Sequence, residues 1–184
     1  MATEHVLEVP VRRHIIDSGQ PFASVLDGIF GGISQPDIGP LFSDLEASTS
    51  YEQFSSLVRQ AQGSAGLMRF WQLDLDVALT LDPQARQQAG RRLVRLIAGN
   101  PVTMGQMTRH VADAGSYAPV TILIQELPDG GTRVAYDLAA SEPVTRAEKA
   151  LIVPKPWILL APPDRACAIS GVWLAWLAWI RADA

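Results

Sequence analysis

The chain has 184 residues, of which 48% are hydrophobic and 18% are charged, and its formal net charge at pH 7 is -4. This length suits one compact domain with its own core, and the absence of a long basic block argues against nucleic acid, whose phosphates require a basic face. The single cysteine, Cys167, excludes an internal disulfide framework and a cysteine-based metal cluster.

The N-terminal region predicts a strand and no export signal. Residues 1–14 hold charges and a proline where a secretory signal needs an apolar core, so we expect a cytoplasmic protein. Residues 5–16 alternate in polarity, with Val11 and Ile15 on one face and His14 on the other. This period of two predicts a half-buried strand.

Two helices are predicted next, separated by a loop. Apolar spacing after the strand indicates a short helix that ends at Gly31 and Gly32. Residues 34–48 are rich in turn formers and are interpreted as a loop. The apolar stripe that follows predicts a second helix, with Ser50 or Thr49 as its N-cap.

The remaining elements point to an α+β fold. Bulky residues within 66–79 predict a second strand, and Asp82 followed by Pro83 predicts a polar helix or helical turn with Asp82 as its cap. A third strand is expected at 92–99, and residues 117–138 form the clearest hairpin, with a Pro-Asp-Gly-Gly turn. Strands that alternate with helices and end in a hairpin predict one α+β domain with helices on a mainly antiparallel sheet.

Five short motifs follow one another along this pattern. They are FWQLD on a strand, GNP before a helix, YAPVTILIQE, the DGG after it, and VAYD near the end of the domain. In order and spacing, over residues 5–141, the chain resembles the family catalogued as domain of unknown function 302 (DUF302). The resemblance implies a compact α+β fold and, commonly, a homodimer. It implies no established reaction, so whether the protein is an enzyme stays open.

Two positions depart from the family pattern. Many members have a histidine after the aspartate of the aromatic strand, whereas Leu75 follows Asp74 here. Members often follow Tyr-Asp with proline and paired serines, whereas this chain reads YDLAASEP and keeps only Ser141 nearby. The resemblance ends there, so residues 1–141 are assigned to the domain and residues 142–184 to a proline-rich connector with an apolar, tryptophan-rich segment.

A candidate ligand site begins at Asn100, a good N-cap, with Pro101 in the first helical turn. The exposed N–H groups and the dipole of a helix start favour an anion, so we expect a small anionic ligand there. The alternative is a capped helix that packs on the sheet with solvated polar residues. Arginines that converge on this point would strengthen the site, and the candidates are Arg69, Arg95, Arg109 and Arg133. The candidate ligand-binding residues are Asn100, Thr103, Gln106, His110, Tyr136 and Asp137.

An enzyme is the second hypothesis, with His110 acting together with Asp74 or Asp137. No serine lies in a glycine-any-serine-any-glycine elbow. The three histidines lack the short helical spacing of a zinc site, and Asp74 and Asp76, placed on one strand face, are expected to be solvated. We therefore predict no metal site, and the cofactor is unknown.

The third hypothesis is a partner-binding protein that uses residues 167–180. This stretch, CAISGVWLAWLAWI, is uncharged, contains three of the five tryptophans, and is shorter than the roughly twenty residues needed to cross a bilayer. A helix with this sequence would be apolar nearly all round, so it must be buried against its own domain, a partner chain or a membrane interface. A membrane-bound helix normally has a basic face, and only Arg181 is at hand, so the first two are favoured.

Overall fold

The computed structural model describes residues 2–6, 8–85, 91–109 and 112–139. Its strands are β1 (Val11–Ser18), β2 (Met68–Asp74), β3 (Leu93–Gly99), β4 (Val120–Glu126) and β5 (Thr132–Ala139). Its α-helices are α1 (Phe22–Gly32), α2 (Ile38–Glu46), α3 (Tyr51–Gln62), α4 (Asp76–Leu81) and α5 (Pro101–Thr108), with a 3₁₀ helix at Ala112–Tyr117. The strands pair antiparallel in the order β1-β5-β4-β3-β2, which confirms the α+β class.

One face of the sheet holds the main core. Every second residue of the central strands is buried on this side, including Leu96 on β3, Ile124 on β4 and Val134 on β5. Helix α1 covers these residues with the side chains that its apolar spacing predicted, namely Phe22, Val25, Leu26 and Ile29. The burial of this set drives α1 onto the sheet, because apolar area is removed from water on both elements.

A second apolar cluster joins α2 and α3 to the end of β2. Met68 is fully buried among Leu41, Leu45 and Val58. Phe70 packs against this cluster together with Met68, two residues before it. The register of β2 shifts just after, so Arg69 lies opposite Ala98 and Trp71 opposite Ile97. Val102 of α5 contacts the same cluster, which places α5 beside α2 and α3.

The opposite side, named here the open face, carries Ile15, Leu73, Arg95, Leu123 and Ala135, with Trp71 and Ile97 beside them. These seven residues belong to neither apolar cluster of the described chain. Val11 and Ile15 of β1 are 58% and 54% exposed. Of the strand predicted over residues 5–16, the alternation is confirmed from Val11 to Ile16, whereas the described residues before Val11 lie outside β1. Its apolar members Val11 and Ile15 lie on the open face.

Two sequence interpretations need correction, and a third agrees with the structure. Residues 34–48 are not a loop throughout, because Ile38–Glu46 forms α2 and buries Leu41 and Leu45. The second strand ends at Asp74, and Asp76 starts α4, so Asp74 and Asp76 do not share a strand face. Asp82 is the C-cap of α4 and also caps the turn that follows, since its carboxylate accepts the amide of Gln84 and its carbonyl accepts that of Ala85. This agrees with the predicted helical turn, and residues 86–90 of that prediction lie outside the described residues.

Other predictions agree with the structure. The β4–β5 hairpin closes with Leu127 N–H donating to the Gly131 carbonyl, and Gly130 takes φ 87°, which favours glycine. Ser50 is the N-cap of α3. The predictions for His110 and for residues 142–184 lie outside the described residues. In the part of the chain that is described, no helix has the length and apolarity needed to cross a bilayer.

Candidate functional site

Asn100 caps α5 as its sequence context predicted. Its Oδ1 accepts the backbone N–H groups of Val102 at 3.0 Å and Thr103 at 3.2 Å, and its carbonyl accepts that of Met104 at 2.9 Å. Pro101 has no N–H to offer. The first-turn amides that were expected to receive an anion therefore already have acceptors within the chain. An anion at this point has to displace the Asn100 side chain.

The other end of the Asn100 amide group joins two helices. Its Nδ2 donates to Gln62 Oε1 at 2.6 Å and to the Gly66 carbonyl at 3.3 Å. Gln62 is the last residue of α3, so this side chain links the end of α3 to the start of α5. Both polar atoms of the Asn100 side chain, Oδ1 and Nδ2, are therefore hydrogen-bonded to other groups of the chain.

An open groove of about 680 Å³ lies along α5, on the side that faces α3. The junction of α2 and α3 forms one wall, and the exposed side of α5 forms the other. The lining residues are Leu45, Ser48, Thr49, Ser50, Tyr51, Phe54, Pro101, Val102, Gly105, Gln106 and Arg109. This volume falls within the range of about 300–1,000 Å³ that small-molecule pockets occupy.

The groove combines an apolar floor with polar groups at its rim. Leu45, Phe54 and Val102 are buried or half-buried, whereas Gln106 and Arg109 are exposed. At the start of α3, Ser50 Oγ accepts the amide of Gln53, and the Ser50 carbonyl accepts that of Phe54. The first two amides of the helix, at Tyr51 and Glu52, are then left for solvent or a ligand. This end of α3 and the Arg109 guanidinium both favour negative charge.

Tyr136 and Asp137 point to opposite sides of the sheet, because they are neighbours on β5. Tyr136 packs against the main core and stacks on His14, with ring centroids 5.0 Å apart. Asp137 lies on the open-face side, where Arg13 Nε and Nη2 each donate to its carboxylate at 2.8 Å. These hydrogen bonds hold the pKa of Asp137 below its ordinary value. The carboxylate is thus kept ionised by a structural partner.

Five of the six predicted site residues are described, and of these five only Gln106 lines the groove, whereas His110 lies outside the described residues. Asn100 and Thr103 take part in the capping of the same helix, and Tyr136 and Asp137 lie on the sheet. The enzyme hypothesis also used Asp74, whose Oδ1 accepts a hydrogen bond from Gln72 Nε2 on β2. Among the described residues, no cluster of three His, Cys, Asp or Glu side chains is placed to hold a metal ion.

One of the four candidate arginines reaches the groove. Arg109 lines it, whereas Arg133 forms a bidentate pair with Asp17 and Arg69 lies over the ring of Phe30. Arg95 is exposed on the open face. The sequence therefore named Arg109 within a larger set of arginines, and it identified Ser50 and Thr49 only as helix caps.

Comparison with known proteins gives the family. A family model described as "Domain of unknown function DUF302" matches residues 44–148 of this chain. The chain belongs to the DUF302 family. Every residue that lines the groove, from Leu45 to Arg109, lies within the span matched to DUF302, whereas β1 and α1 precede it.

Two further comparisons complete the picture. The crystal structure of an uncharacterised conserved DUF302 protein from Bacillus stearothermophilus is similar at 15% sequence identity and a TM-score of 0.44. That similarity covers 92% of this chain and 98% of the other. No curated protein matches this chain. The DUF302 family is one of unknown function, so its name assigns no activity to the groove.

Proposed function

We propose that this DUF302 protein binds a small organic anion with an apolar body in the groove between α3 and α5. The observation that carries the proposal is the composition of the groove, in which a floor that includes Leu45, Phe54 and Val102 lies beside Arg109. Ligand pockets in proteins are mostly apolar, with a few polar groups that set orientation and specificity. Here the apolar floor would take the body of the ligand, and Arg109 would take its charged group.

The groove supports binding over acid–base chemistry. Its described lining contains hydroxyl groups, one amide side chain and one guanidinium, and no carboxylate or imidazole side chain. General acid–base catalysis needs a group whose pKa lies near the working pH within hydrogen-bond reach of the substrate. The hydroxyls of Ser48, Thr49 and Ser50 can accept or donate hydrogen bonds, which suits recognition of a polar group.

The test uses phenyl phosphate as an amphiphilic anion and benzyl alcohol as its uncharged counterpart. Titration calorimetry on the full chain should show binding of phenyl phosphate and much weaker binding of benzyl alcohol. Arg109→Ala removes a charge-assisted hydrogen bond worth about 1.5–3 kcal/mol, so it should weaken phenyl phosphate binding by roughly 10- to 100-fold. Arg12→Ala removes an exposed arginine of β1 and is the matched control.

A second variant tests the groove by its shape. A Cβ placed on Gly105 meets no atom within 4 Å, so Gly105→Leu extends a side chain into the groove without a clash at its root. We expect it to abolish binding, whereas Gly31→Leu, at an equally open glycine of α1, should bind as the parent does. Absence of phenyl phosphate binding by the parent protein, or unchanged affinity of Arg109→Ala, would refute the proposal.

The cytoplasmic location and the homodimer that the sequence favours stay predictions. Light scattering on the full chain measures the oligomeric state directly.

A further inference from the structure

The open face carries an apolar row that crosses all five strands. Leu73 lies opposite Arg95, Arg95 opposite Leu123, Leu123 opposite Ala135, and Ala135 opposite Ile15. Residues directly opposite each other in antiparallel strands point to the same side, so four apolar side chains and one arginine form a continuous line.

The exposure of this face is unusual for a sheet whose other side holds the core. Trp71, next to the row, is 60% exposed, and Ile15 is 54% exposed. A contiguous apolar patch on a protein surface marks a place where something else packs. Leu73, Leu123 and Ala135 of the row are half-buried and Arg95 is exposed, so the row lies at the surface of the described part of the chain.

Charges on the same side of β1 and β5 are mutually neutralised. Arg13 and Asp137 form one bidentate pair, and Asp17 and Arg133 form another, with N–O distances of 2.6–2.8 Å. Their formal charges cancel, and Arg95 is left as the cation within the apolar row. The part of the surface on β1 and β5 thus suits an uncharged, apolar occupant better than a charged one. At Arg95 the occupant has to leave the guanidinium in contact with water, since a charge without a partner is costly to bury.

We propose that residues 167–180 of the same chain cover the open face. This stretch has no charged side chain and three tryptophans, so its burial is as favourable as that of the sheet residues. Its length also fits. Four spacings of about 4.8 Å make the row about 19 Å long, and fourteen residues would extend about 21 Å as a helix.

The connection allows this docking. Strand β5 ends at Ala139, and residues 140–166 lie between that point and the apolar stretch. At up to about 3.3 Å per residue this connector can reach any part of the sheet. A tethered segment has an effective concentration in the millimolar range, which favours it over a second copy of the chain in dilute solution. The inference is independent of the proposed groove function, because the two surfaces share no residue.

The single natural cysteine makes the proposal testable, because Cys167 is the first residue of the apolar stretch. Arg95→Cys, Thr121→Cys and Gln125→Cys each place a second thiol on the open-face side of β3 or β4 in the full chain. Ser56→Cys and Gln60→Cys place it on the exposed side of α3 as controls. Each variant is treated with a short bis-maleimide under native conditions, and the products are separated by denaturing gel and mapped by peptide mass.

We expect an intrachain link from Cys167 in the sheet variants, formed at a rate unchanged by about a hundredfold dilution, and about tenfold slower linking in the α3 controls. Links between two chains would mean that a second copy occupies the face, and the proposal would fail. Equal linking in the α3 controls would show that residues 167–180 have no preferred position. If none of the three sheet variants gives an intrachain link, the proposal is rejected. This is also the result expected if residues 167–180 bind a membrane instead of the open face.

Discussion

Asn100 is predicted to be a structural residue that holds two helices together, and Asn100→Ala tests this. The substitution removes the Oδ1 acceptor of two first-turn amides and the Nδ2 donor to Gln62 and Gly66. Loss of an N-cap costs about 1 kcal/mol. Loss of the two further hydrogen bonds costs about 1 kcal/mol each, because Gln62 Oε1 and the Gly66 carbonyl lose a partly buried partner.

The total loss for Asn100→Ala is then roughly 2–3 kcal/mol, which for a chain of this size lowers Tm by roughly 5–10 °C. Urea unfolding, followed by circular dichroism, measures the free energy of unfolding. The slope against urea should stay unchanged, because the same surface is exposed on unfolding.

Two comparisons separate the cap from the link. Ser50→Ala removes a cap alone from α3 and should cost about 1 kcal/mol. Asn100→Asp keeps an acceptor for Val102 and Thr103 but loses the donor to the Gly66 carbonyl, so its stability should lie between those of the parent and Asn100→Ala. If Asn100→Ala costs no more than Ser50→Ala, the link between α3 and α5 contributes nothing and the reasoning is wrong.

Two other predictions concern packing and pH. A Cβ on Gly99 would lie 2.7 Å from Phe70 Cε2, so Gly99→Ala should lower the free energy of unfolding by about 1–3 kcal/mol, whereas Gly105→Ala, in open space within a helix, should raise it by up to about 1 kcal/mol. Urea unfolding of both variants checks the opposite signs. Hydrogen bonds from arginines lower the folded-state pKa of Asp17 and Asp137 below the ordinary 3.8. The stabilisation that these two pairs give the folded state is present above pH 3.8 and is lost as the pH falls through the lowered pKa values of the two carboxylates. The double variant Asp17→Asn, Asp137→Asn should therefore lose less stability on acidification below about pH 4, by a margin that shrinks with salt because the pairs are exposed; identical acid profiles would contradict this.

Local signals in the sequence predicted most of the fold. The β4–β5 hairpin depends on a β-branched run and a glycine turn, and the start of α5 depends on Asn100 and Pro101, so both could be located from neighbouring residues alone. Helix α2 was missed because Pro40 and Gly39 look like turn residues. Pro40 lies in the first helical turn, where a missing N–H costs nothing, and the burial of two leucines stabilises the helix.

The orientation of β1 and the groove are not local properties. A period of two defines the two faces of β1, but only its register with β5 puts His14 on the core side opposite Tyr136. In the same way, the groove joins Ser48 and Arg109, which are far apart in sequence and meet only because α3 and α5 share an apolar cluster. The sequence could name Gln106 and Arg109 of the α5 side as candidates, but it could not show that the junction of α2 and α3 forms the opposite wall of the groove.

Asn100 lies between the two helices that form the groove, so its structural role has to be separated from a role in ligand binding. Its side chain links the end of α3 to the start of α5, and the same two helices form the groove walls. Asn100→Ala should therefore weaken ligand binding only together with a loss of stability. Arg109→Ala, at an exposed position on the groove, should weaken binding by more than any loss of stability accounts for, and urea unfolding of the same variant measures that loss. A variant of Asn100 alone cannot distinguish a residue that contacts the ligand from one that holds the groove walls in place. The two variants are therefore compared in both ligand binding and the free energy of unfolding, and loss of binding beyond loss of stability in Arg109→Ala would assign the anion to Arg109.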